Sequence, residues 1–264
     1  MMHRFLACLF PVWLLLAAPV SAQQPTYNDV ARFVAGQNLS ADSPLDPLLG
    51  SGPVQRHYAE TRELSQKWEE MRLEAIRKWA VAEIQPRITR PQCIQYMFGG
   101  PDFVHAVSIF PGVPEYVLVG LEPLGTLPNF LAMAEPELDS YLSHLNHTLR
   151  SISRRNFFIT KEMREDFGSE GVDGVFPVLL YFAALTGHDV IDAGYVALEA
   201  NGETVLASQE EADGIWVRIR ETQPDALDPP EQNLYYFRTD LSNEGFKAGT
   251  PFHRFLSARP DSEA

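Results

Sequence analysis

Apolar residues recur along this chain with two periods, and the change from one to the other separates a helical first part from a strand-rich last third. Between Tyr58 and Ile84, Leu64, Trp68, Met71, Ala75, Trp79 and Ala82 step by three and four, which predicts a long amphipathic helix packed on a sheet and stopped at Pro86. Glu63 with Lys67 and Glu74 with Lys78 are i,i+4 pairs in the favourable order on its polar side. A second helix is expected where Leu138, Leu142, Leu145, Leu149 and Ile152 form a narrow stripe. Glu135 and Glu137 lie near its positive end, and Arg150, Arg154 and Arg155 near its negative end. The run from Phe176 to Leu185 is apolar throughout, with Pro177 in its first turn and Gly187 just past its end, and predicts a buried helix. A shorter helix, capped by Thr160, is expected over 161–167.

Strands read by a period of two. The runs 103–110 and 115–122 are apolar on alternate positions and flank Pro111-Gly112-Val113-Pro114, which predicts a hairpin. The runs 195–200 and 203–208 flank Asn201-Gly202, the pair that suits a two-residue type I′ turn. Ile215, Val217 and Ile219 alternate with Trp216, Arg218 and Arg220, and after a Pro/Asp-rich loop a further run covers 233–239. The expected architecture is a single α+β domain over 56–256: an antiparallel sheet of hairpins packed against a long N-terminal helix and a buried central helix. An irregular leader rich in Pro, Gly, Ser and Asp precedes it over 23–55, and a polar tail follows over 257–264.

Residues 1–22 carry the marks of a cleaved secretory signal peptide. Arg4 is the positive start, an apolar run follows, and Val20-Ser21-Ala22 is a small-residue cleavage site. The processed chain would begin near Gln23 and retain one cysteine of two, Cys93, so no internal disulfide is expected in a periplasmic or secreted setting. Beyond residue 22 the longest apolar run, 175–185, is too short to span a bilayer. The 264 residues carry 21 Lys+Arg against 35 Asp+Glu, a net charge of −14, and loss of Arg4 with the leader makes it −15. Such an acidic chain has no basic excess to meet a phosphate backbone, which argues against nucleic acid as a partner.

Candidate chemistry concentrates around Gly99-Gly100-Pro101-Asp102-Phe103 and Gly120-Leu121-Glu122-Pro123. If Phe110 pairs with Glu115 across the expected hairpin, His105 falls opposite Gly120 and Phe103 opposite Glu122. Asp102, His105 and Glu122 then converge as an acid/base or metal-binding group, and the missing side chains at Gly100 and Gly120 leave room for a ligand. The plain alternative is a core histidine satisfied by Glu122, with Asp102 capping a turn. His144 and His147 share the polar flank of the second helix and are weak metal candidates, because no third or fourth ligand is apparent. Arg154 and Arg155 suit either an anion or the negative end of that helix. Cys93 has no companion pattern for a nucleophile and reads as a buried thiol. No nucleophile elbow, His-Glu-x-x-His, phosphate loop or dinucleotide fingerprint occurs, so no cofactor is implied.

Three segments resemble a family of exported bacterial proteins without an assigned activity. The first joins Gly100-Pro101-Asp102-Phe103, Phe110-Pro111 and Tyr116-Val117-Leu118-Val119-Gly120-Leu121-Glu122-Pro123-Leu124-Gly125; the others are 156–163 and 234–242. The resemblance implies export and one fold over roughly 65–256, and implies no reaction. Three functions are compatible with these readings: an exported binding or accessory protein for a small molecule or protein partner, a hydrolase with Asp102 and Glu122 as paired carboxylates, and a scaffold for a protein partner.

Overall fold

The computed structural model describes residues 23–89, 91–97, 99–155, 172–222, 230–242, 246–259 and 262–263. The signal peptide over 1–22, the helix expected over 161–167 and the 156–163 segment of the family resemblance lie outside the described residues. The strands are β1 (Cys93–Tyr96), β2 (Glu115–Gly120), β3 (His188–Leu198), β4 (Thr204–Leu206), β5 (Gly214–Glu221), β6 (Glu231–Arg238) and β7 (Ser262–Glu263). They form one sheet in the order β4-β3-β5-β6-β2-β1-β7. The α-helices are α1 (Tyr27–Val34), α2 (Gly52–Trp68), α3 (Glu74–Trp79), α4 (Phe103–Ile109), α5 (Glu135–Arg155), α6 (Phe176–Leu185) and α7 (Pro251–Ser257).

The fold is α+β with a mixed sheet, which corrects the expectation of an all-antiparallel one. β3, β4, β5 and β6 pair antiparallel, whereas β2 is parallel to both β6 and β1, and β1 to β7. The reason lies between β1 and β2. The run 103–110, expected as the first strand of a hairpin, is the helix α4, and a helical crossover returns the next strand parallel where a tight turn would reverse it. Phe103, Val104, Ala106, Val107 and Ser108 are all buried, because α4 packs against α3, β2 and α6. A short apolar run enclosed on all sides has no exposed face to reveal its period.

The Asn201-Gly202 hairpin forms with a different turn. Pairing of Leu198 with Thr204 and the bond from Glu199 N to Glu203 O (2.9 Å) leave three residues in the loop, with Gly202 alone at positive φ, 89°. Asn201 uses its side chain instead, accepting from Glu203 N at 2.8 Å. A three-residue loop ending in a left-handed glycine replaces the type I′ turn.

The segment 23–55, expected to be irregular, contains α1. Thr26 caps it by accepting from Asp29 N at 3.1 Å, and Val30, Ala31, Phe33 and Val34 join the main core. In place of one long helix over 58–84 the chain forms α2, a π-helical segment Glu69–Leu73, α3 and a second π segment Ala80–Ile84. The Leu138 to Ile152 stripe of α5 and the whole of 176–184 in α6 are buried as expected. One sheet face carries Ile94, Tyr116, Leu118, Ile215, Val217, Leu234 and Tyr236 into the main core. The other carries Val117, Val119, Tyr235 and Phe237 into a smaller one closed by Phe252, Phe255 and Leu256 of α7. No described helix is long and apolar enough to cross a membrane.

Candidate functional site

The parallel strands β1, β2 and β6 finish at the same end of the sheet, with Tyr96 beside Leu118 and Gly120 beside Arg238. The turn after β1 is tied down there by Gly100 N, which donates to Val119 O at 3.1 Å. Asp102 follows as the residue before α4, His105 lies in the first turn of α4, and Glu122 lies two residues past β2. The fold therefore brings the candidate residues to one end of these strands, through a parallel crossover and not through the hairpin register expected from the sequence.

Asp102 and His105 meet as helical neighbours three residues apart. His105 Nδ1 lies 2.6 Å from Asp102 Oδ1, and Tyr96 OH donates to Asp102 Oδ2 at 3.3 Å. Asp102 is buried, and burial raises its carboxyl pKa above the ordinary value while the bonds from His105 and Tyr96 pull it back down. The carboxylate is committed to the imidazole and to the Tyr96 hydroxyl.

Glu122 has different partners. It is 0% exposed, and its Oε2 accepts from Tyr236 OH at 2.9 Å and from Leu121 N at 3.0 Å. Burial, and then the Glu122 charge, push the Tyr236 phenol well above its usual pKa, so the hydroxyl keeps its proton and donates. The other oxygen, Oε1, is buried without a hydrogen-bond partner. A Cβ on Gly120 would stand 2.1 Å from Glu122 Oε2 and 3.0 Å from the Gly100 Cα, and one on Gly100 would stand 3.3 Å from the same oxygen. The space that the sequence suggested for a ligand beside Gly100 and Gly120 is thus filled by the chain's own Glu122 carboxylate and Tyr236 hydroxyl.

No protein-family model, no curated protein and no solved structure matches the chain. Two enclosed carboxylates are each bound to their own donors: Asp102 joins Tyr96 of β1 to His105 of α4, and Glu122 joins the exit of β2 to Tyr236 of β6.

The remaining candidates separate. His144 and His147 both lie on the exposed side of α5, where His144 Nδ1 is 2.8 Å from the Ser140 carbonyl. No group of three or more His, Cys, Asp or Glu able to hold a metal occurs among the described residues. Cys93 is buried in β1, and burial, helped by Glu115, pushes its thiol pKa up to about 12. Sequence reasoning missed Tyr96 and Tyr236. Both lie in strands where a tyrosine reads as one more apolar position, and their hydroxyls find partners only when β1, β2 and β6 come together.

Proposed function

We propose that this chain is an exported binding or accessory protein, and that Asp102, His105 and Glu122 hold its fold together and do not cleave a substrate. The observation that carries this reading is the enclosure of Glu122, which has no exposed surface and is bonded to Tyr236 and Leu121. Paired carboxylates in glycoside hydrolysis must flank a bound substrate and exchange protons with it or with water, and a sealed carboxylate bonded to a tyrosine does neither. Asp102, 5% exposed and turned to His105 and Tyr96, is equally committed. Export rests on Arg4, the apolar run and Val20-Ser21-Ala22, and on the resemblance of 100–125 to exported proteins.

Glu122→Gln and Asp102→Asn test the reading. Each is expected to lower stability by about 1–3 kcal/mol, since each removes a charged acceptor from buried donors. Neither is expected to change any reaction of the processed protein with peptidoglycan or polysaccharide, where the parent should show no turnover. Turnover by the parent that E122Q abolishes while the melting curve stays cooperative would establish the hydrolase reading instead. Mass spectrometry of the exported fraction should find a chain beginning near Gln23; a chain that keeps residues 1–22 and stays in the cytoplasm would end the export reading.

A further inference from the structure

A cleft of about 390 Å³ opens between α2 and α5, away from the enclosed carboxylates. Its charged lining is Lys67, Arg72, Arg150 and Arg154 against Glu60 and Glu63, an excess of two positive charges on a chain whose net charge is −14. Both acids are already taken: Glu63 pairs with Lys67 at 2.5 Å, and Glu60 pairs with Arg150 at 3.1 Å while also accepting from Asn146 at 3.0 Å. Among the described residues neither Arg72 nor Arg154 forms an ion pair. Two buried N–H groups of lining residues, Arg72 Nη1 and Trp68 Nε1, have no hydrogen-bond partner. Trp68 is 3% exposed, and its ring stands edge-on to Phe182 with centroids 5.5 Å apart, which fixes it in place.

Each of these facts has an ordinary explanation alone; together they define a ligand chemistry. Buried donors without acceptors are costly, and an incoming oxyanion supplies what they lack. Guanidinium groups suit carboxylate and phosphate oxygens because their N–H groups form a planar fork. The rest of the wall is apolar: Leu64 is buried and Met71 is 74% exposed, a large adaptable side chain left beside the cations. The volume suits a small molecule.

We propose that this cleft binds a small amphiphilic anion, with a carboxylate or phosphate head held by Arg72, Arg154 and the Trp68 indole N–H and its apolar body against Leu64 and Met71. The site is separate from Asp102, His105 and Glu122. It deepens the binding-protein reading, but a hydrolytic activity lost in E122Q would count against that reading alone.

Calorimetric titration of the processed protein tests the proposal with four probes below their micellar concentrations: decanoate, decyl phosphate, inorganic phosphate and decyltrimethylammonium. At least one anionic amphiphile is expected to bind saturably at one site. Inorganic phosphate should bind at least about tenfold more weakly, and the cation, which has the same tail, should not saturate. Whichever of decanoate and decyl phosphate binds tighter identifies the head group. Arg72→Gln and Arg154→Gln should each weaken binding about tenfold. The Trp68 indole N–H signal, assigned through W68F, should shift as ligand is added. Absence of saturable binding, equal binding of the cation, or unchanged affinity in both arginine variants would overturn the proposal. Equal affinity for inorganic and decyl phosphate would overturn its apolar half. Arg154 is exposed, so R154Q tests the site even if R72Q unfolds.

Discussion

His57 is 1% exposed and has an oxygen beside each ring nitrogen: Asn146 Oδ1 is 3.0 Å from Nδ1, and the Val34 carbonyl is 3.0 Å from Nε2. Asn146 donates its amide to Glu60 at 3.0 Å, and this turns its oxygen toward the imidazole. A second proton would satisfy both contacts, but burial outweighs them and lowers the pKa from 6.5 to about 4. The unfolded chain therefore binds a proton in the range between those values that the native chain refuses. Stability is full above pH about 6.5 and declines as the pH falls toward 4. The protein is expected to be roughly 2 kcal/mol less stable at pH 5 than at pH 7, by urea unfolding, and His57→Gln should flatten this slope. His188, also lowered by burial, adds in the same direction. A wild-type midpoint unchanged between the two pH values would contradict this account of His57. Sequence did not mark His57, because one of its acceptors belongs to α1, in a segment whose prolines and glycines read as irregular.

Among the elements, the two π segments decide which side of the α2 to α3 region is buried. The spacing of three and four predicted Met71, Ala75, Trp79 and Ala82 on the inner face after Leu64 and Trp68. The structure instead buries Leu73 and Ala80 and leaves Met71 74% and Trp79 49% exposed. Each π turn carries an extra residue and so advances the face, which places Leu73 five positions after Trp68 on the inner side. Leu73→Ala should therefore cost roughly 2–4 kcal/mol, whereas Met71→Ser should change stability by no more than about 0.5 kcal/mol. Chemical denaturation of the two variants checks the phase, and the reverse order would restore the regular helix. Where no such insertion occurs the pattern reads correctly, as in α5, whose Leu stripe is wholly buried, and in α6, where Pro177 and Gly187 mark the ends. In α4 the period is hidden for the opposite reason, since its sides meet protein and no polar face is left to show it.

In the molecule as a whole, β1 sits between β2 and β7, and Cys93 is 2% exposed in the smaller core with Val117, Phe237 and Phe255. With its thiol pKa pushed up to about 12, Cys93 of the folded protein should not react with an aromatic disulfide reagent at pH 8, and it should react once the chain unfolds. Fast labelling under native conditions would show that β1 opens without global unfolding. The local pattern was enough to establish burial of the thiol, the α5 stripe, the α6 helix and the alternation in β5, because amphipathic period and turn chemistry act over a few neighbouring residues. It was also enough to single out Asp102, His105 and Glu122 as polar groups interrupting apolar runs. Direction and partnership were decided only in three dimensions. The helical crossover made β1 and β2 parallel, and the pairing of β2 with β6 gave Glu122 to Tyr236 and filled the gap at Gly120. Those outcomes depend on contacts between residues far apart in the chain, whose burial on several sides at once erases the periodicity by which they would have been read.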